Sequence, residues 1–173
     1  MENFSNSILL PENLPEVDSK TFNRLDQSYL KIMFIRILFL FLFMSGILMA
    51  ILFLTVDIPT SIVAIPGGSA IVLITLFASV ITVLGFPQKG YLVREQDISF
   101  QRGLITYKLT TVPFNRIQHV EVNQGILAKM FRLSSVKLYT AGGATSDLSI
   151  PGLPVSDAKR LKAFLSEKIS EHE

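Results

Sequence analysis

A chain of 173 residues has room for one ordinary domain and something more. It is 49% hydrophobic and has no cysteine, which excludes disulfides, thiolate catalysis and Cys-based zinc or iron–sulfur sites. The net charge of +2 is too small and too spread out to point to nucleic acid, but it is unevenly placed. Residues 1–31 hold three Lys/Arg against five Asp/Glu, residues 32–87 hold only Arg36 and Asp57, and residues 88–173 hold twelve against eight. Three parts follow: an N-terminal arm (1–31), an apolar middle (32–87) and a mixed C-terminal domain (88–173).

The arm opens with "LLPENLPEVDSK", which has two prolines and no helical period and reads as irregular. In "FNRLDQSYLKIMF" Leu25, Tyr29 and Ile32 recur at i, i+4 and i+7, so this segment leads into a helix. The arm is read as a cytoplasmic tether, with docking against the C-terminal domain as the alternative.

Ile37 to Val56 runs without a charge. At a rise of about 1.5 Å per residue it spans one hydrocarbon thickness, and it is apolar on every face. It is too long for the core of a signal peptide. No charge occurs from Ile58 to Gln88 either. Pro59, Pro66, Gly67 and Gly68 break the first part, so Asp57 to Gly68 is expected to be a loop or irregular helix start. The second span is then Ser69 to Phe86, ended by Pro87 and Gly90. A short connection makes the pair an antiparallel hairpin. Lys31, Arg36, Lys89 and Arg94 flank it on one side, and the connecting loop has only Asp57. Both termini are therefore expected in the cytoplasm. Arg36 is read as a snorkelling anchor rather than part of an ion path, because no second intramembrane charge pairs with it. Gly46 and Ala50 form a small-xxx-small pair that is a candidate seat for a neighbouring helix.

From Gln88 the period changes to two. Tyr91 and Val93 alternate, as do Ile98 and Phe100. Ile105, Tyr107 and Leu109 make one face, Val120 and Val122 another, then Val136 and Leu138, then Leu148. These are half-buried antiparallel strands. "EQD" (95–97), "RG" (102–103), "VPFN" (112–115) and "AGGATSD" (141–147) are the turns between them. Ser156 is an expected N-cap, followed by Asp157 at the positive helix end. Ala158, Leu161, Leu165 and Ile169 then make one stripe, suited to closing a small sheet, with Lys159, Arg160, Lys162 and Lys168 outside. The class is α+β: strands followed by a capping helix, as in pleckstrin-homology (PH) domains or in an unrelated α+β sheet.

Catalysis needs convergent groups. His119 has no second histidine or cysteine at metal spacing, and His172 lies at the terminus. "TAGGAT" lacks the Lys-Ser/Thr of a phosphate loop. No cofactor or metal is expected, and His119 is read as a strand residue. Arg116, Gln118 and Gln124 are polar strand positions and candidates for a contact surface, with Lys129 and Arg132 in "GILAKMFRL". Ile126, Leu127, Met130 and Phe131 are expected to fill the core; the alternative is a turn that presents them to headgroups or a partner.

Five segments carry a resemblance: "RG" at 102–103, "VPFNRIQHVEVNQGIL" at 112–127, "FRL" at 131–133, "TAGG" at 140–143 and "IPGL" at 150–153. In this order and spacing the chain resembles the YdbS-like bacterial PH-domain membrane proteins over most of residues 88–170. The two spans upstream fit the same layout. The resemblance implies a PH-like antiparallel β-sandwich capped by a C-terminal helix and held at the cytoplasmic (inner) membrane. It names no reaction. It implies as partners the lipid bilayer and either a homo-oligomer or a larger membrane protein with several PH domains. Phosphoinositide-binding PH domains carry a basic Lys/Arg pattern across the first hairpin; here "GYLVREQDISFQRG" has Arg94 followed by Glu95 and Asp97, so inositol phosphate is not expected there.

The expectation is a non-catalytic, membrane-anchored binding and assembly module. Its rivals are an accessory subunit of a transport, export or resistance complex, and an enzyme acting on lipid headgroups.

Overall fold

The computed structural model describes residues 22–55, 59–140 and 147–170; Asp57, the 141–146 turn and His172 lie outside them. A two-residue strand β1 (Asn23–Arg24) precedes helix α1 (Ser28–Leu54), which turns back into α2 (Thr60–Gly85). A 3-10 turn at Phe86–Gln88 leads to β2 (Gly90–Val93), β3 (Asp97–Arg102) and β4 (Lys108–Pro113). After a second 3-10 turn at Phe114–Arg116 come β5 (Ile117–Asn123), the short helix α3 (Ile126–Met130), β6 (Leu133–Thr140), β7 (Leu148–Pro154) and helix α4 (Val155–Ser170). The strands form two antiparallel sheets, β1-β2-β3-β4 and β5-β6-β7. This is the expected PH-like sandwich with its capping helix.

The helices of the hairpin are apolar on all sides, because lipid rather than water is the solvent they match. At 27 residues α1 is about 40 Å long, roughly 10 Å more than the hydrocarbon core needs. The surplus is at its start. Of the two expectations for this stretch, the irregular helix start holds and the loop does not: α2 begins at Thr60 and carries Pro66 within it. Pro66 leaves the Ile62 carbonyl without its usual helix donor, at about 3 kcal/mol in water. Unwinding would expose more unpaired backbone groups to hydrocarbon, so the helix persists. Its glycines have a packing use. A side chain at Gly67 would meet the end of the Leu48 side chain of α1 at 2.6 Å, so glycine lets the two helices approach there without displacing it.

Ile98, Phe100 and Val112 from one sheet meet Val120, Val136, Leu138 and Ile150 from the other. The expected stripe of α4 closes them in: Ala158 and Leu165 are fully buried, with Leu161 and Ile169 partly so. Phe114, in the 3-10 turn, stacks edge-on against Phe164 of α4 at 5.9 Å. Ser156 is not the N-cap, since the helix begins at Val155 and the Ser156 hydroxyl donates to Asp157 instead. The expected face of Ile105, Tyr107 and Leu109 is a further correction. β4 starts only at Lys108, and all three side chains are exposed, Ile105 by 77%. Gly103, at φ +119, turns the chain so tightly that any Cβ would strike the Thr106 carbonyl. Alternation therefore begins later than the apolar pattern indicated, and Val112 supplies the buried position.

The arm docks. Asn23 and Arg24 pair with Tyr91 and Gly90, so the hairpin is inserted between the first two strands of one sheet. Leu25 joins the core. The Asp26 amide donates to the Gly152 carbonyl, and the Asp26 carboxylate accepts the Ser28 amide at 2.7 Å, satisfying one free donor at the start of α1. Tyr29 lies on Gly152, whose φ of +67 and missing Cβ both require glycine. The surplus length of α1 is thus a stem set into the sandwich.

Candidate functional site

The short helix α3 stands beside that stem. A cleft of about 410 Å³ separates them, with Tyr29, Ile32 and Arg36 on one wall and Ile126, Leu127 and Ala128 on the other. Within α3, residues four apart share a row. Leu127 and Phe131 form the row facing the protein and are half-buried. Ile126 and Met130 form the adjacent row and are 85% and 71% exposed. The expected core role therefore fails for Ile126 and Met130. A five-residue helix at the sheet edge has one face to bury, and the neighbouring row is left outside.

Lys129 and Arg132 rim this row, and both are exposed. Arg132 holds φ at 55, a left-handed conformation costing a non-glycine residue about 1 kcal/mol. Its amide donates to the Lys129 carbonyl and its carbonyl accepts the Val155 amide, so both neighbouring elements fix it. Gln124 works inward: its side-chain amide donates to the Leu133 carbonyl at 2.8 Å and latches the end of β5 to β6.

Arg116 and Gln118 lie at the other end of β5, about 20 Å away at 3.4 Å per residue. The structure thus separates the five candidate polar residues into two groups. The register shifts between Ile117 and His119, so Gln118 is a bulge and both it and His119 face outward. On that face His119 Nε2 donates to Glu121 Oε1 at 3.2 Å, and the Tyr139 hydroxyl donates to Glu121 Oε2 at 3.0 Å. These hydrogen bonds, His119 first, hold the Glu121 carboxyl below its ordinary pKa, and the same bond raises that of Tyr139. Register places Lys137 directly opposite Glu121. Each polar group in this cross-strand cluster has a neighbour on the sheet, as a stabilising ladder requires. Gly46 and Ala50 are exposed on α1, with open space above Gly46, and lie away from the α2 contact at Leu48.

Sequence reading gave the docked arm only as the alternative, because Asp26 and Tyr29 are far in the chain from their partner Gly152. It missed Ile105, because an apolar residue two places after "RG" continues an alternating pattern.

An apolar two-helix hairpin rooted in a PH-like sandwich defines a membrane protein of the PH-domain class. Residues 34–169 match the family described as Bacterial PH domain, and the chain belongs to that family. It is similar to the UPF0699 transmembrane protein YdbS of Bacillus subtilis (strain 168), with 35% identity over 96 residues, 53% of this chain and 58% of that protein. It is also similar to the UPF0699 transmembrane protein YdbT of the same organism, with 20% identity over 103 residues, 59% of this chain and 21% of that one. The matched region thus spans less than two thirds of either relative. No solved structure is significantly similar.

Proposed function

We propose that this chain is a non-catalytic binding and assembly module, displayed by its hairpin on the cytoplasmic face of a bacterial membrane. The observation that carries this is the exposed row of Ile126 and Met130, rimmed by Lys129 and Arg132 and set beside the stem of α1. Apolar anchors inside a charged rim are the usual anatomy of a contact surface. The partner is a second copy of the chain or a larger membrane protein with several PH domains; that YdbT matches over only 21% of its length supports a partner of the longer kind. A photo-crosslinking residue at position 126 in the full chain, expressed in its native membrane, tests this. Discrete adducts to a second copy or to one longer membrane protein are expected. Adducts to lipid alone would overturn it. Protease access to the C-terminal helix only from the cytoplasmic side is the matching topology result.

A second reading, an accessory subunit of a transport or export complex, would seat a neighbouring helix on the small-residue pair Gly46 and Ala50. Leucine at both positions would then abolish co-purification with the complex and leave the sandwich folded. An enzyme acting on lipid headgroups is the weakest reading, since His119 is engaged with Glu121; an activity lost in His119→Ala would revive it.

A further inference from the structure

The chain leaves α2 through Lys89, which also touches the stem. Its ammonium lies against the Met33 sulfur at 3.6 Å and over the Tyr29 ring at 6.0 Å. Below it is an apolar groove of about 210 Å³, lined by Met33 of α1, Ile81 of α2, and Leu104 and Ile105 of the β3–β4 turn. Above it is a cleft of about 350 Å³, lined by Phe22, Arg24, Gln101 and Tyr107, with Lys89 in the wall of both. Leu104 packs on Gly85 at the end of α2, which fixes the turn to the hairpin and leaves Ile105 exposed along it.

The charges around Lys89 have one sign. Burial, then Arg102, then Arg36 hold its pKa below the usual lysine value. Among the described residues no carboxylate forms an ion pair with Lys89, Arg102, Arg36 or Arg24. Like charges gathered without a counter-ion are costly unless an anion joins them. An apolar groove running along a membrane helix into a basic cleft has the polarity of a phospholipid, acyl chain below and phosphate above. Basic pockets beside spanning helices on the cytoplasmic side recognise anionic headgroups in this way.

We infer that Lys89 and Arg24 hold the phosphate of one anionic phospholipid, whose acyl chain lies in the groove of Met33, Ile81, Leu104 and Ile105. This rests on the reading that the hairpin lies in the bilayer. It does not use the Arg94–Gln96 turn, which is at the other end of β2 and β3. A bound lipid would tie the β3–β4 turn to the membrane and orient the sandwich above it.

The test is native mass spectrometry of the full chain, released from nanodiscs of equal phosphatidylglycerol and phosphatidylcholine. Wild type should retain one phosphatidylglycerol with roughly tenfold preference. Lys89→Gln with Arg24→Gln should remove the preference, and Lys89→Arg should keep it. Ile105→Ser should lower retention of both lipids. Excess inorganic phosphate should not displace the lipid. Equal retention of the two lipids by wild type, an unchanged preference in the double glutamine variant, or displacement by phosphate alone would overturn the site. A chain washed off membranes by alkaline carbonate would instead overturn the membrane reading beneath it.

Discussion

Phe43 and Phe114 are the same side chain under opposite rules. Phe43, halfway along α1, is 68% exposed, and Phe114, at the turn before β5, is 1% exposed. In the hairpin apolar groups face outward, because lipid tails are as apolar as the side chains and association rests on close packing such as Leu48 on Gly67. In the sandwich they face inward, because water is the solvent and burial is the driving force. The comparison shows why exposure alone does not mark a site in this protein. Exposed leucines along α1 need no explanation, whereas Ile105, Ile126 and Met130 are exposed on the water-adapted half and do. Ile105 and Ile126 stand beside the hairpin, where the two solvents meet, and Met130 continues the row of Ile126.

The sharpest way to break the comparison is to truncate both phenylalanines. Phe114→Ala should cost the sandwich about 3–5 kcal/mol, read by denaturant unfolding in detergent micelles. Phe43→Ala should cost under about 1 kcal/mol, since lipid fills the space. A large cost at Phe43 would show that this face of α1 packs against protein. Next in size is the joint between the halves. Gly152→Ala forces a Cβ into the Tyr29 ring at a left-handed φ and should cost about 2–4 kcal/mol. Hydrogen exchange at the Asp26 amide should rise with it, because that amide is bound to Gly152. If exchange at Asp26 is unchanged, the stem is not seated as described.

Ile126→Ser with Met130→Ser should change stability by no more than about 0.5 kcal/mol while removing the crosslinked partner. A loss of several kcal/mol would return both residues to the core. The smallest effect is electrostatic. Glu121, bonded by His119 and Tyr139, and Asp147, bonded by the Thr140 hydroxyl and amide, have folded pKa values below their ordinary ones. Their unfolded forms bind protons first, so the stabilisation is complete above the ordinary carboxylate range. It is lost as pH falls through the depressed folded values. Amide shifts of Thr140 should follow that titration, and in Asp147→Asn they should not.

Much of the fold was legible because period and length are local properties. Twenty uncharged residues dictate a span wherever they occur, and the i, i+3, i+7 stripe from Ala158 dictates a helix with one buried face. The limits lay where two elements compete for one side chain. Ile126 and Leu127 are adjacent and equally apolar, and only the rotation of α3 against the sheet edge decides which of them is covered. Gln124 read as surface, and its side chain proved to be a latch, because the Leu133 carbonyl that receives it is nine residues away.

The sequence alone determined that this protein has a membrane hairpin, a stranded domain and a closing helix, since each follows from the spacing of apolar residues along a short stretch. The tertiary structure decided how these become one body. It took β1 from the arm and placed it beside β2, sixty-odd residues on, and set Tyr29 against Gly152. It also brought Lys89 under the charges of Arg102 and Arg36, with no carboxylate paired to them among the described residues. Such contacts depend on which distant backbones come within reach, and no local pattern of hydrophobicity encodes that.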